Sequence, residues 1–242
     1  YCVMTQNKDG LWVLGYGSLI YKPPPHYTQR IPALIYGYIR RFWQSSIDHR
    51  GIPEAPGRVV TLIPYDDVMN DPKYRTDVEK YYQNHNRELK HDDLTTLGVA
   101  YYIPPEYSDE VRQYLDIREQ NGYTLHTFSV HLYPNESQRE ELAESLSHLE
   151  KDPVTGCQIL QTSVYIGITD SSSNEAFVGP EDTAVVIAKA VGPSGSNYLY
   201  LKMLYDSLAA MYKDGEFVGD NSYRKDMYLD VLMDKVEKLL NE

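Results

Sequence analysis

A glycine-containing segment near the start of the chain has the residue types of an anion-binding loop. The apolar run Leu11–Leu14 leads into Gly15-Tyr16-Gly17, and the hydroxyl residue Ser18 follows. Glycine permits a tight turn and lets a ligand approach the main chain, so such a loop can offer backbone N–H groups to a carboxylate or an oxyanion. The same pattern is also typical of an ordinary strand that ends in a turn, and the segment alone leaves both interpretations open.

The best candidate for acid–base chemistry is Glu119, within Leu115–Tyr123. The surrounding pattern predicts a helix that begins with Ser108 as its N-cap and ends at Asn121-Gly122, which places this carboxylate in the last turn. The helix dipole disfavours a negative charge there by only about 0.3–1 kcal/mol, whereas burial can raise a carboxyl pKa by about 3–5. A functional Glu119 should therefore be shielded from water; the alternative is a solvated glutamate paired with Arg118 or another cation.

Several other chemistries lack their sequence signatures. Ile20 stands where a dinucleotide-binding fingerprint requires its third glycine, and the chain contains no phosphate-binding P-loop, His-Glu-x-x-His pair or Gly-x-Ser-x-Gly elbow. His126 and His131 are an odd number of residues apart on a predicted strand, so their side chains should lie on opposite faces and not share a metal ion. No activating histidine is visible in the sequence around Cys157, which favours a neutral thiol.

The composition is that of an acidic globular protein. The 242 residues carry a formal net charge of −12, with 42% hydrophobic and 24% charged residues. Nucleic acids and anionic membranes require a basic surface, so neither is expected as the main partner, and no apolar run approaches the roughly 18 residues of a membrane-spanning helix. Two cysteines, Cys2 and Cys157, do not make a disulfide framework, which favours a cytoplasmic location.

Hydrophobic periodicity predicts strands in the first two-thirds of the chain and helices in the last third. The predicted strands are Leu11–Tyr16, Ala33–Ile39, Arg58–Ile63, Leu97–Ile103, Thr124–Tyr133 and Gln161–Ile168. The predicted helices begin at Ser108 and Asn135 and continue with Thr183–Val191, Asn197–Tyr212 and a last helix from about Ser222. The segment Arg40–Gly51 shows neither period, and Asp66–Asp93 is predicted to be a polar excursion, partly helical or disordered. We expect one α+β domain over residues 1–242, with a flexible N-terminus at residues 1–8.

Seven segments form a set that runs in order through most of the chain. They are Leu11–Pro23, Gly37–Ser46, Asp48–Gly51, Pro56–Leu62, Arg118–Tyr123, Val164–Gly167 and Gly192–Asn197. Together they resemble the ChaC-like γ-glutamylcyclotransferases, and their joint occurrence is highly specific. The main stretches that the resemblance leaves out are Asp66–Asp93 and the two ends of the chain.

The resemblance implies a small mixed β-barrel flanked by α-helices, and a lyase that acts on glutathione to release 5-oxoproline and Cys-Gly. It implies that the glycine loop holds the γ-glutamyl group and that Glu119 is the catalytic acid and base. The cyclisation requires neither a metal ion nor an organic cofactor, so none is expected, and no obligatory protein partner is evident. The loop residues implied to bind substrate are Gly15, Tyr16, Gly17, Ser18, Leu19 and Ile20.

Roles remain open for several polar residues and for the substrate. Tyr123 is expected either to hydrogen-bond the γ-glutamyl group or Glu119, or to pack at the helix exit. Four arginines either bind substrate carboxylates or are structural, and we favour a structural role for at least two of them. One alternative function is a cyclotransferase for γ-glutamyl amino acids or γ-glutamylamines, and another is a non-catalytic γ-glutamyl-binding module. The four arginines are Arg40, Arg41, Arg50 and Arg58.

Overall fold

The computed structural model describes residues 10–82, 88–118, 123–167, 177–180, 183–213, 217 and 226–242. Within these residues the strands are, in chain order, β1 (Leu11–Gly15), β2 (Gln29–Tyr36), β3 (Tyr38–Ser46), β4 (Gly57–Pro64), β5 (Thr95–Ile103), β6 (Tyr123–Leu132), β7 (Ile159–Gly167), β8 (Val191–Gly192) and β9 (Gly195–Ser196). The α-helices are α1 (Tyr65–Asn70), α2 (Pro72–Tyr81), α3 (Ser108–Arg118), α4 (Glu136–Glu141), α5 (Ala143–Ser147), α6 (Thr183–Lys189), α7 (Asn197–Lys213) and α8 (Tyr228–Asn241). Short 3-10 turns lie at Ser18–Ile20, His91–Asp93 and Pro105–Tyr107.

Five of the strands close into a barrel in the order β1-β5-β2-β6-β7. β1 pairs antiparallel with β5, with Gly15 opposite Val99, and runs parallel to β7. β2 pairs antiparallel with β6, with Ala33 opposite Leu132. A barrel of both parallel and antiparallel pairs, accompanied by helices, confirms the predicted α+β class and its small mixed β-barrel.

The chain contains two compact units. One lies within residues 1–35, 97–120 and 125–165 and holds most of the barrel together with α3, α4 and α5. The other lies within residues 36–96, 121–124 and 166–242 and holds β3, β4 and the remaining helices. The expectation of one domain over residues 1–242 stays a prediction, and the predicted flexible segment, residues 1–8, lies outside the described residues.

Helix α3 packs one face into the core of the first unit. Val111 and Leu115 are buried, as the three- and four-residue spacing predicts, whereas Tyr114 is half-exposed. The predicted N-cap role of Ser108 is wrong, because its hydroxyl donates to the carbonyl of Pro104 and Ser108 continues the preceding 3-10 turn. The cap predicted for the next helix is confirmed, since Asn135 forms a reciprocal capping box at the start of α4.

The second unit contains a two-stranded sheet, β3 and β4, in a segment that the sequence pattern left unassigned. Residues 40–46 belong to β3, although neither a helical nor a strand period was visible there. Phe42, Trp43 and Gln44 are all fully buried, so both faces of the strand are covered and the alternation of polar and apolar residues is lost. A bulge between Arg41 and Gln44 breaks the period further.

A glycine divides the single strand that was predicted over Ala33–Ile39 into β2 and β3. Gly37 has φ +77°, a conformation that favours glycine, and a side chain there would collide with the ring of His91. Its amide donates to the carbonyl of Leu94 over 2.8 Å, which holds the glycine in the bend between the two strands. The apolar run is therefore interrupted at Gly37 by a bend that the apolar residues on either side do not indicate.

The polar segment Asp66–Asp93 is largely helical where described, and it also contributes to a core. α1 and α2 occupy much of it, which confirms the helical part of the prediction. Val68, Val78 and Tyr82 are buried in a cluster with Trp43 of β3. Charged residues on the outer faces dominate the composition, whereas a few apolar residues on the inner faces attach the segment to the second unit.

Candidate active site

The glycine loop leaves β1 at Gly15 and continues directly into the 3-10 turn. Within that turn the amide of Ile20 donates to the carbonyl of Gly17 over 3.0 Å, and the amide of Lys22 donates to the carbonyl of Ser18 over 2.8 Å. A helical turn leaves its first amides without partners inside the turn. The amide of Ile20 is therefore used within the turn, and a ligand-binding role for the amides of Gly17–Leu19 stays a prediction.

The side chains of the loop are mostly internal. Tyr16, Leu19 and Ile20 are buried, and Ser18 is partly exposed. Leu19 and Ile20, which are predicted to bind substrate, are therefore shielded from solvent. Ser18 has the most accessible side chain of the loop, and the roles of these residues in binding a substrate stay predictions.

Two glycines allow the loop to lie directly against the barrel. A Cβ atom on Gly15 would lie 2.7 Å from the Cβ of Leu19, and a Cβ on Gly98 would lie 2.7 Å from the carbonyl oxygen of Gly15. Neither position has room for a side chain without movement of the backbone. Sequence reasoning missed Gly98, although a lone glycine inside an apolar strand is a recognised sign of close backbone approach.

The segment after the loop is attached to α3, the helix that leads to Glu119. The Nε2 atom of His26 lies 3.1 Å from Oε1 of Glu110, and the His26 ring stacks on Tyr107 with centroids 4.1 Å apart and planes 5° from parallel. His26 also has φ +59°, which is uncommon for a residue other than glycine. These contacts hold the chain that follows the glycine loop against the start of α3.

Glu119 lies outside the described residues, as do Gln120, Asn121 and Gly122, and nothing is described of the Tyr123 side chain. Helix α3 is described from Ser108 to Arg118, which agrees with the prediction up to the residue before Glu119. The roles of Glu119 and Tyr123, and the expected proximity of Glu119 to the glycine loop, stay predictions.

Arg41 has a structural role. Its guanidinium is fully buried and donates to Asp226 over 2.6 Å, lies 3.5 Å from Asp77, and donates to the carbonyl of Arg40. Burial lowers the pKa of Arg41, but the charge and hydrogen bond of Asp226 together with the charge of Asp77 and the contribution of Tyr228 outweigh this, so the pKa lies above its ordinary value. A guanidinium engaged in this way is not free to bind a substrate carboxylate.

Arg50 is structural as well. It is 5% exposed, donates to the carbonyl of Ser196 over 3.1 Å, and lies over the ring of Tyr200. At least two of the four arginines are therefore structural, as expected. Arg40 and Arg58 remain the candidates for binding a carboxylate of the substrate. The backbone of Arg58 is bonded on both sides by the amide group of the buried Asn197.

The described residues contain no group of three or more histidine, cysteine, aspartate or glutamate side chains that could hold a metal ion. His126 lies near the ring of Phe128, whereas Nδ1 of His131 lies 3.9 Å from a carboxylate oxygen of Asp152. The two histidines therefore have different surroundings, as their spacing on the strand predicts. Among the described helices, none is both long and apolar enough to cross a membrane.

Comparison with known proteins identifies the family. Residues 11–239 match the family model described as ChaC-like protein. The chain is 52% identical to the glutathione-specific gamma-glutamylcyclotransferase of Saccharomyces cerevisiae over 97% of this chain and 99% of that protein, and 37% identical to the protein of the same name from Schizosaccharomyces pombe over 81% and 82%. A crystal structure of a gamma-glutamyl cyclotransferase specific to glutathione from yeast superimposes with a TM-score of 0.86 at 52% identity, covering 95% of this chain and 96% of that one. The chain therefore belongs to the ChaC-like family.

Proposed function

We propose that this protein is a lyase that cleaves glutathione by cyclising its γ-glutamyl group, releasing 5-oxoproline and Cys-Gly. The observation that carries the proposal is the 52% identity to the yeast glutathione-specific enzyme over nearly the full length of both chains. The described fold supports it, because strand β1 of the barrel is followed directly by a glycine loop. Backbone amides of such a loop can stabilise a carbonyl oxygen that becomes negatively charged during the reaction.

The reaction needs mainly orientation and proton transfer. The α-amine of the γ-glutamyl unit attacks its own γ-carbonyl carbon, a C–N bond forms in a five-membered ring, and the bond to the cysteinyl nitrogen breaks. Both reacting groups belong to one molecule, so holding them in an attacking pose can contribute up to about 7–11 kcal/mol. No oxidation occurs, and we propose that neither a metal ion nor an organic cofactor takes part.

We propose that Glu119 transfers the proton. An α-amine with a pKa near 8 is mostly protonated at neutral pH, so a base must take that proton before the nitrogen can attack. The same carboxyl group can then deliver that proton to the departing cysteinyl nitrogen. The attacking nitrogen gives up a second proton as the lactam forms, and the released amine of Cys-Gly takes up one, so the total number of protons is unchanged. Such transfer typically accelerates a reaction by about 10²–10⁴-fold.

We propose that the glycine loop stabilises the tetrahedral oxyanion. The amides of Gly17–Leu19 precede the bonds that close the 3-10 turn, whereas the amide of Ile20 is used within it. Each donor in such a site typically contributes about 3–4 kcal/mol to transition-state stabilisation. The side chain of Ser18 is partly exposed, and we propose that its hydroxyl makes a further contact with the substrate.

Glutathione is expected to be turned over with a kcat/KM about 10–200-fold above that of γ-glutamyl-alanine, the range for a pocket that recognises an additional group. The test is mass-spectrometric quantification of 5-oxoproline after incubation with each substrate at matched concentration. Comparable rates would favour the broader cyclotransferase for γ-glutamyl amino acids or γ-glutamylamines. Calorimetric binding of glutathione without any 5-oxoproline would favour the non-catalytic binding module and contradict the proposal.

Gly98→Ala is expected to lower kcat/KM for glutathione by about 10–100-fold, because a Cβ at 2.7 Å from the Gly15 carbonyl oxygen must displace the loop, and displacements near 1 Å have effects of this size. The matched control is Gly156→Ala, where an added Cβ meets no atom within 4 Å. This control should lose some stability because Gly156 has φ +71°, but turnover by the folded protein should be unchanged. Equal turnover in the two variants would show that the loop tolerates displacement.

We further propose that the protein works in the cytoplasm on a small-molecule substrate, without an obligatory protein partner. A net charge of −12 disfavours nucleic acid as a partner, and the two cysteines of the sequence are consistent with a reducing compartment. Fractionation of cells that express the chain, with glutathione turnover measured in each fraction, tests the location.

A further inference from the structure

The carbonyl end of the glycine loop is held by a buried phenol that the sequence patterns did not single out. Tyr101 lies on β5 opposite Val13 of β1, and its side chain is fully buried. Its hydroxyl donates to the carbonyl oxygen of Leu19 over 2.8 Å. The ring also lies beneath Gly15, since a Cβ on that glycine would be 3.4 Å from Cε2 of Tyr101.

This hydrogen bond acts on a peptide group whose other end is also held. The carbonyl of Leu19 and the amide of Ile20 belong to one planar peptide unit. The carbonyl accepts from Tyr101, and the amide donates to the carbonyl of Gly17 over 3.0 Å. Two bonds in opposite directions fix the orientation of the plane. Because successive peptide units of a helical turn point the same way, fixing this unit also orients the preceding amides, which point toward the opposite end of the turn.

Arg30 is a second hydrogen-bond partner of the Tyr101 phenol. Its side chain forms a hydrogen bond with the Tyr101 hydroxyl, and a guanidinium can only donate. The Tyr101 oxygen therefore accepts from Arg30 and directs its own proton to Leu19. Burial raises the pKa of Tyr101 above its ordinary value, more than Arg30 lowers it, so the hydroxyl keeps this proton at neutral and mildly alkaline pH. The edge of the Tyr27 ring packs on Tyr101 with centroids 5.2 Å apart.

We infer that Tyr101 is a positioning residue for the cyclisation, which orients the amides of the glycine loop through the Leu19 carbonyl, and that Arg30 orients Tyr101. This inference rests on the proposed function for its catalytic consequence. Its structural part, that the Tyr101 hydroxyl holds the turn, does not depend on any substrate. The two parts are therefore tested by separate measurements.

The test compares Tyr101→Phe with Tyr102→Phe. Both remove one phenolic oxygen from neighbouring residues of β5, but the side chain of Tyr102 points to the other side of the strand and its ring packs on Trp12. Hydrogen exchange of the unliganded protein reports on the turn, through the amide of Ile20. Steady-state kinetics with glutathione reports on the reaction. Arg30→Met is a second variant that leaves the Tyr101 hydroxyl in place and removes its orienting donor.

In Tyr101→Phe, exchange of the Ile20 amide is expected to be at least about tenfold faster, since local opening of the turn becomes easier. We expect kcat to fall by about 10–100-fold with KM changed by less than about threefold, because mis-aimed amides weaken binding of the transition state more than binding of the substrate. Arg30→Met should change both quantities in the same direction and by less. Tyr102→Phe should alter neither by more than about twofold.

Unchanged exchange in Tyr101→Phe would overturn the inference, whatever the activity. Faster exchange with an unchanged kcat would equally overturn it, because the turn would then be held without consequence for the reaction. Equal losses of kcat in Tyr101→Phe and Tyr102→Phe would also contradict the inference, because they would indicate a general loss of stability and not a specific role of Tyr101. If wild-type protein released no 5-oxoproline, the proposed function would fail, whereas the exchange measurement would still decide whether Tyr101 holds the turn.

Discussion

Glu119→Gln is expected to lower the rate of 5-oxoproline release from glutathione by about 10²–10⁴-fold, while the melting temperature stays nearly unchanged. Glutamine has a similar shape but cannot take the proton of the α-ammonium group, so the attacking nitrogen stays protonated. Binding of glutathione should be largely retained, because the amides of Gly17–Leu19 and the rest of the pocket are unaltered. The measurement is quantification of 5-oxoproline under single-turnover conditions, with calorimetric binding beside it.

The control for this variant is Glu106→Gln, which makes the same chemical change on an exposed glutamate in the 3-10 turn before α3. Its turnover should match that of the wild-type protein. Turnover in Glu119→Gln close to the wild-type rate would remove Glu119 from the mechanism. The proposed proton transfer would then have to be assigned to another group.

Arg41→Met is expected to have the largest effect on stability, a loss of about 3–5 kcal/mol in the free energy of unfolding. Methionine approximates the length of the side chain but leaves the carboxylates of Asp226 and Asp77, at 16% and 15% exposure, without their buried cation. It also removes the guanidinium from above the ring of Tyr228. Equilibrium unfolding in urea measures the loss. The control is Arg75→Ala, which breaks an exposed pair with Glu79 on α2 and should change stability little.

The loss caused by Arg41→Met should depend on pH with a defined sign. Desolvation raises the pKa of Asp77 above its ordinary value, and Arg41 opposes this rise. Without Arg41 the pKa of Asp77 should rise further, so the folded variant takes up a proton that the unfolded chain does not hold near neutral pH. Its stability should therefore increase as the pH falls from 8 toward 5, relative to wild type. If the difference in the free energy of unfolding between the variant and wild type stayed constant from pH 8 to pH 5, protonation of Asp77 would not contribute to the effect.

The family and the main elements could be predicted from the sequence because they depend on local patterns. The run Leu11–Leu14 followed by glycines indicates a strand and a turn, and the structure has β1 and the 3-10 turn there. The apolar spacing of Val111 and Leu115 indicates the buried face of α3. Neighbouring residues decide these features, so the printed chain suffices for them.

Features that depend on distant residues could not be predicted in the same way. Residues 40–46 form a strand although they mix charges and aromatic rings, because Arg41 finds its partners at Asp77 and Asp226, far away in the sequence. Burial of the Arg41 charge is energetically possible only because the carboxylates of Asp77 and Asp226 lie beside it. The residue pattern along β3 gives no sign of this distant ion pair.

The candidate site also has features that residue type and order predict and features that depend on the tertiary structure. By itself the sequence determined the family, the glycine loop and the acid–base candidate Glu119, since each is a matter of residue type and order. Only the tertiary structure decided that the Ile20 amide closes the turn, that Gly98 makes room for the Gly15 carbonyl, and that Tyr101 holds the Leu19 carbonyl. For Gly98 and Tyr101 the physical reason is that the pairing of β1 with β5 brings together residues more than 80 positions apart, and for Ile20 it is that residue types alone do not decide which local carbonyl its amide contacts.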